Sequence, residues 1–358
     1  AGIGRTGTYL AIDALYKTGK TERKINIAEY VKRMRENRMN MVQTYEQYIT
    51  IFLALNYMFK ACPSVLKKSD FIRKAESMKS DKPANQTDLR REFQSLLKVR
   101  PTYTEEDYKL AIQAGQGKGS SILPLDKYSL FLSSNVPKRG GFINAVTLSS
   151  YVNNKAFIVT HYPPPGDAVD FLRLLTDHES DVVVCMDPLL QVESSNKWMP
   201  GTDESKIVAP FTVHCQRKSA DIDGVNCSTI QIFQEEQSDE AYTVSVSEPM
   251  FSLLSTNHGA SLLVKLVTIV MDNETQGPIT VVSSDGAVLC GVFCAVYNVI
   301  QQLSVDGEMD IFSAVRQLQI RRPELCSSFE EYRMIHTAVL EYIRLQQDQT
   351  QENIYSNE

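Results

Sequence analysis

Three glycines fall within the first seven residues, Ala1-Gly2-Ile3-Gly4-Arg5-Thr6-Gly7, and a helix-forming run from Thr8 to Tyr16 follows at once. Glycines let a turn tighten with its N–H groups pointing inward. The helix behind the turn adds free N–H donors and the positive end of its dipole. Arg5 supplies a planar fork of donors that matches the oxygens of a phosphate. Ala1, Gly2, Ile3, Gly4 and Arg5 thus form a candidate cup for a phosphate dianion. A glycine-rich turn before a helix is weak evidence alone, because ordinary turns share that composition. The Arg inside the turn adds the specificity.

The elements that must hold this cup are legible as periods. Residues 8–18 read as a helix with Leu10, Ala11 and Leu15 on one side. Asn26 can cap a helix from Ile27 to Glu36, and the polar string Met41 to Tyr48 leads into a third helix ending near Cys62-Pro63. Residues 63–86 are rich in Lys, Ser, Asp and Pro and read as a linker. Thr87 to Val99 is an amphipathic helix with Leu89, Phe93, Leu96 and Leu97 apolar, and residues 113–121 are a loop. Strands are expected at 129–132, 142–148, 156–160, 181–186, 206–214, 229–233, 242–246 and 279–282, with a helix at 169–175. From Asp310 the chain reads as helical to about Gln346, and the polar tail 347–358 as disordered.

Composition excludes several classes. The 358 residues carry a net charge of −6 with no basic block, which argues against nucleic acid as a partner. Seven scattered cysteines, odd in number and without ligand spacing, suit a reducing cytosol and give no metal site. Gly286 to Val305 is uncharged and long enough for a membrane span, but Asn298, Gln301 and Gln302 make it a buried helix.

The two ends of the chain match. Sliding the first 58 residues by 284 positions, without a gap, places Gly2 on Gly286, Gly7 on Gly291, Ala11 on Ala295 and Ile27 on Ile311. It also places Val31 on Val315, Arg38 on Arg322, Tyr48 on Tyr332 and Ile51 on Ile335. The apolar frame persists while polar residues change. Arg5 falls on Leu289, Gly4 on Val288, Gln43 on Ser327 and Gln47 on Glu331. A charge-assisted phosphate bond contributes about 1.5–3 kcal/mol, and a bidentate Arg makes two. Losing it weakens phosphate binding by on the order of 100-fold or more.

The opening string resembles the second half of the protein tyrosine phosphatase signature, His-Cys-Ser-Ala-Gly-x-Gly-Arg-Thr-Gly. Gln43-Thr44 with Gln47-Tyr48 resembles that family's glutamine loop. Gly141-Phe142-Ile143-Asn144-Ala145, Lys155 to Thr160 and Asp170-Phe171-Leu172-Arg173-Leu174 resemble further family segments. The resemblance implies a nucleophilic Cys two residues ahead of Ala1, acting as a thiolate on phosphotyrosine without metal or cofactor. It implies that Arg5 binds the phosphate and that Gln43 and Gln47 position the hydrolytic water. It places Ser283 where the second copy would carry its nucleophile. The family's Trp-Pro-Asp acid loop falls on Ser247-Glu248-Pro249-Met250, so Met250 replaces the acid. Trp198 lies too early to belong to that loop, and Gly117-Lys118-Gly119-Ser120 stands where the phosphotyrosine loop is expected. His214-Cys215 is the chain's one His-Cys pair, but no Arg follows at the right spacing and its alternation reads as a strand.

The expectation is an α/β fold, with a twisted mixed sheet flanked by helices on both faces. The chain is similar to the cytoplasmic region of a single-pass receptor-type phosphatase. Residues 1–62 would end an active-type domain, 63–86 would link, and 87–346 would form a degenerate second domain with Ser283, Leu289, Met250 and Ser327 at its dead site. The expected partners are phosphotyrosine proteins, through the first domain, and an intramolecular contact between the two domains. The expected role of the second domain is regulation or protein interaction; the alternatives are a scaffold or a phosphotyrosine-binding trap at Ser283. Tyr355, with Asn357 two places on, is a candidate phosphorylation site for an SH2 adaptor.

Overall fold

Apolar spacing and caps define the helices at the start of the chain. The computed structural model describes residues 2–60, 64–78, 87–115, 122–222, 224–234, 241–254 and 258–356. Helix α1 spans Arg5–Glu22, α2 spans Ile27–Asn37 and α3 spans Tyr45–Lys60. Asn26 caps α2 as expected, its side chain accepting from Glu29 N at 3.1 Å. The three helices share a small core of Ala11, Leu15, Ile27, Val31, Val42, Ile51 and Leu55. Leu10, expected on the same side as Ala11, is instead exposed.

The chain divides into two compact units, Ala1–Ser64 with Arg90–Arg100, and Val65–Leu89 with Pro101–Glu358. The expected boundaries, 1–62, 63–86 and 87–346, do not coincide with these units. The amphipathic helix α5 (Thr87–Val99) crosses the division, because residues 90–100 group with the first unit. The expected linker carries structure of its own. Within it, β1 (Leu66–Lys67) continues into α4 (Lys68–Met78), which buries Phe71 and Ala75. Helix α6 follows at Lys109–Gln113.

The second unit is built on a nine-stranded mixed sheet. Its strands are β2 (Ser129–Phe131), β3 (Phe142–Leu148), β4 (Phe157–His161), β5 (Val182–Cys185), β6 (Ser205–Val208), β7 (Phe211–Ile222), β8 (Val225–Gln234), β9 (Tyr242–Pro249) and β10 (Ile279–Ser283). Their order is β2-β3-β4-β10-β5-β9-β8-β7-β6, with β4, β10, β5 and β9 parallel and the remaining pairs antiparallel. Every residue of β10 is buried, as a central parallel strand requires. Alternation along β4 sends side chains to both faces. Ile158 joins the core of helix α7 (Ala168–Asp177), while Phe157 packs edge-on against Phe293 and Tyr297 of helix α9 (Val288–Asp306). Helices therefore cover both faces.

Helix α8 (Gly259–Asp272) packs with α9, and strand β11 (Glu308–Met309) pairs with β1. Helices α10 (Ile311–Arg321) and α11 (Phe329–Ser356) complete the layer on α9. Every residue of α9 from Leu289 to Ile300 is buried, so the uncharged stretch is a core helix. One strand expectation changes. The run 206–214 is two strands, because Pro210 cannot donate to a ladder and the chain turns there. The expected disordered tail is corrected as well: α11 continues through it to Ser356, while residues 357 and 358 lie outside the described residues.

The repeat is structural as well as sequential. Moved by 284, the first residues of α2 and α3, Ile27 and Tyr45, fall on Ile311 and Phe329, which begin α10 and α11. Asp310 caps α10 by accepting from Ser313 N at 2.9 Å, as Asn26 caps α2. Both α1 and α9 end on a left-handed residue, Arg23 at φ 56° and Gly307 at φ 71°. A Cβ on Gly7 would lie 2.9 Å from the backbone N of Val42, and one on Gly291 would lie 2.9 Å from the N of Cys326. Glycine is needed at both places for the same close approach.

Candidate active site

The first cup forms where the backbone turns into α1. Gly2 has φ 69°, and Thr8 donates both its N–H and its hydroxyl to Gly4 O at 3.0 and 3.1 Å. The loop before α3 lies against this turn, with Val42 N donating to Ile3 O at 3.1 Å. Arg35 pins that loop, its Nε donating to Met41 O at 3.0 Å and its Nη2 to Val42 O at 2.7 Å. Arg35 was not singled out in the sequence, because its role depends on where the loop folds. The loop then brings the two glutamines to the cup. A Cβ on Gly4 would lie 2.8 Å from Gln43 Oε1 and 2.8 Å from Gln47 Nε2. Gln47 Oε1 accepts from Gln43 N at 2.8 Å and Thr44 N at 3.4 Å, which fixes its amide.

Gly4, Gln43 and Gln47, all expected at the site, are thus brought together. Arg5 opens α1 beside them and is exposed. The free N–H groups of the helix start and the Arg5 guanidinium can receive an anion, and the glutamine amides can orient a water next to it. Ala1 lies outside the described residues, as does the 117–120 segment.

The second cup lies between β10 and α9 and keeps this frame. Gly286 has φ 67° against 69° at Gly2. Glu331 repeats the part of Gln47, accepting from Ser327 N and Ser328 N, each at 3.1 Å. Burial raises its carboxyl above the usual range; hydrogen bonds from Ser328 and Ser327 pull back, and the Asp285 charge adds to the rise. Arg322, at Arg38's place, is 1% exposed and donates to Gly286 O at 2.7 Å and Asn144 Oδ1 at 2.6 Å. Burial drags its guanidinium down to about 10.

The polar chemistry of this cup is consumed internally. Ser283 is 2% exposed. Its hydroxyl donates to Asp285 Oδ1 at 3.0 Å and accepts from Gly286 N at 3.0 Å and Cys290 Sγ at 3.3 Å. A hydroxyl has one donor and two acceptor positions, so the hydrogen-bonding capacity of Ser283 is filled by these three partners. Burial pushes the neighbouring Cys290 thiol up to about 12. Leu289, at Arg5's place, is buried and apolar. At the end of β9, Glu248 Oε2 accepts from Leu189 N at 2.5 Å, and Met250, which has no proton to give, hydrogen-bonds through its backbone to Gly224 O at 2.9 Å.

Three residues near this cup escaped the sequence. Asp187, in the loop after β5, accepts from both Ser284 N and Ser284 Oγ at 3.1 Å. Burial raises its carboxyl above the ordinary range, the Ser284 bonds lower it, and Asp285 raises it again. Nothing local links Asp187 to the cup. Asp285 was detectable, because the 284-residue slide places it on Ala1. Arg322 was paired with Arg38 in the slide, but its contact with the cup was not visible. Elsewhere, Trp198 is fully buried, its ring 4.9 Å from Phe171, and Cys215 is a buried strand residue of β7, so neither belongs to a cup.

The family model for protein-tyrosine phosphatases matches residues 1–57 and 115–341. Receptor-type tyrosine-protein phosphatase zeta of Rattus norvegicus is 25% identical over 359 residues, covering 98% of this chain and 15% of that protein. Receptor-type tyrosine-protein phosphatase epsilon of Homo sapiens is 25% identical over 364 residues, 97% of this chain and 51% of that protein. Receptor-type tyrosine-protein phosphatase U of Gallus gallus is 26% identical over 358 residues, 96% of this chain and 25% of that protein. The chain thus spans about half the length of these relatives or less. With both cups and the mixed sheet in place, the chain belongs to the protein-tyrosine phosphatase family, and its long matches are to receptor-type members.

Proposed function

We infer that this chain is part of a tandem receptor-type protein tyrosine phosphatase and lies on the cytoplasmic side of the plasma membrane. In this reading the domain that residues 1–62 complete hydrolyses phosphotyrosine through a phosphocysteine. Its Cys stands two residues ahead of Ala1, Arg5 carries the phosphate, and Gln43 and Gln47 place the water that releases it. The second unit is a degenerate copy that regulates or recruits rather than catalyses. The observation that carries this reading is the second cup, where the frame of the first is kept and the reacting groups are gone. Ser283 is saturated, Leu289 replaces Arg5, and Met250 stands where an acid is needed. The test is turnover of p-nitrophenyl phosphate by the 358-residue chain. The expected rate is that of the buffer blank, and turnover that survives repurification and disappears in Ser283→Ala would overturn the reading.

A further inference from the structure

The N–H groups that an anion cradle offers are already taken in the second cup. Ser284 N donates to Asp187 Oδ2 at 3.1 Å, and Gly286 N donates to Ser283 Oγ at 3.0 Å. Ala287 N and Val288 N both donate to Asp285 Oδ1, at 2.9 and 3.1 Å. The same Oδ1 receives the Ser283 hydroxyl at 3.0 Å. Ala287 and Val288 are the slide partners of Ile3 and Gly4, which belong to the first cup. Asp285 itself falls on Ala1, so its carboxylate is an addition to the second copy.

We propose that Asp285 determines the specificity of the second cup: its carboxylate is an internal ligand that takes the amides a phosphate would need, and with Asp187 it repels a dianion. The proposal rests on the second unit being a degenerate copy and goes further by naming what shuts it. An Asp that accepts N–H groups two and three residues on is also an ordinary helix cap. The two roles separate experimentally, because a cap affects stability and an internal ligand also governs what else binds. The geometry favours the ligand role on two counts. Three donors converge on one oxygen, and a second carboxylate from a distant loop takes the next amide. Two carboxylates at one mouth oppose a further double negative charge.

The test is a titration of the ¹⁵N-labelled 358-residue chain with inorganic phosphate, read at the amide resonances of Gly286, Ala287 and Val288. Shifts near Gly4 report the first cup separately. Wild type is expected to show no saturable shift at the second cup. Asp285→Ala frees the two amides and is expected to give saturable shifts there, with phosphate affinity at least tenfold above any wild-type response. Adding Leu289→Arg to Asp285→Ala should tighten binding by a further tenfold or more, whereas Leu289→Arg alone should not bind. Asp285→Asn keeps the cap geometry without the charge and decides the matter if the Ala variant does not fold. It should bind phosphate more tightly than wild type. Equal binding by Leu289→Arg alone and by the double variant would overturn the proposal. So would the absence of any gain in both Asp285→Ala and the double variant. Either result leaves the inactivity of the second unit standing.

Discussion

Replacing Arg173 by Met removes a heavily bonded buried cation of the second unit. Arg173 is 1% exposed and lies on α7. Its Nη1 donates to Asp170 Oδ1 at 2.8 Å and to Gly140 O at 3.0 Å, its Nε donates to Ser134 Oγ at 3.0 Å, and its Nη2 bonds Ser134 O. Met fills a similar volume but satisfies none of these acceptors. Breaking a buried pair by removing one partner costs about 3–5 kcal/mol. Asp170 keeps Arg139, whose Nη1 lies 2.5 Å from Oδ2, and the exposed Gly140 carbonyl can turn to water. The loss therefore sits at the lower end, about 3 kcal/mol. A domain of this size shifts by about 2–4 °C per kcal/mol, so Tm should fall by roughly 6–12 °C. Urea unfolding of the chain, followed with an unchanged m-value, measures it. Arg139→Met is the control: its side chain is 27% exposed and the change should cost under about 1 kcal/mol. If both variants lose less than 1 kcal/mol, or Arg139→Met loses more than Arg173→Met, the assignment of Arg173 as the buried anchor is wrong.

Two further outcomes are expected. The Glu331 carboxyl is raised in the folded state, so the proton it binds stabilises the fold fully below the unfolded carboxylate range. That contribution is lost as pH rises through the folded value. Glu331→Gln, which copies Gln47, should therefore match wild type in Tm at about pH 4 and exceed it at pH 7; a lower Tm than wild type at pH 7 would contradict this. At the other end of the chain, Tyr355 lies within α11, so an SH2 adaptor that grips an extended segment must first unwind the last turn. A pulldown with the phosphorylated chain should capture the adaptor and lose it with Asn357→Ala, and equal capture by that variant removes the proposed site.

What could be read from the sequence was local or repeated. The cap Asn26 marks a helix, and Asp310 was read as a helix start, because a helix beginning is written in one residue and its next turn. The pairing of the two cups was visible because an ungapped slide preserves Gly7 with Gly291 and Arg38 with Arg322, and those residues make the same close approaches in both units. The alliance of Gly4 with Gln43 and Gln47 was legible through the resemblance. What escaped depends on distant contacts. Asp187 reaches Ser284 across 97 residues, and no period encodes that. Helix α8 was not read from the sequence, because a mostly apolar run such as Leu262 to Val267 is compatible with a buried strand as well as a helix. Residues 347–356 are polar and read as disordered, yet they extend a helix whose earlier turns are anchored by buried Ile335, Val339 and Ile343.

The central claim is that chemistry belongs to the first cup and not the second. It is tested most directly in a form of the protein carrying the native residues ahead of Ala1, by comparing hydrolysis of a phosphotyrosine peptide in Arg5→Ala and Ser283→Ala. The account predicts a loss of kcat/KM of about 100-fold or more for Arg5→Ala, from two charge-assisted bonds. It predicts a change of less than twofold for Ser283→Ala. Full activity in Arg5→Ala, or its abolition in Ser283→Ala, would contradict it.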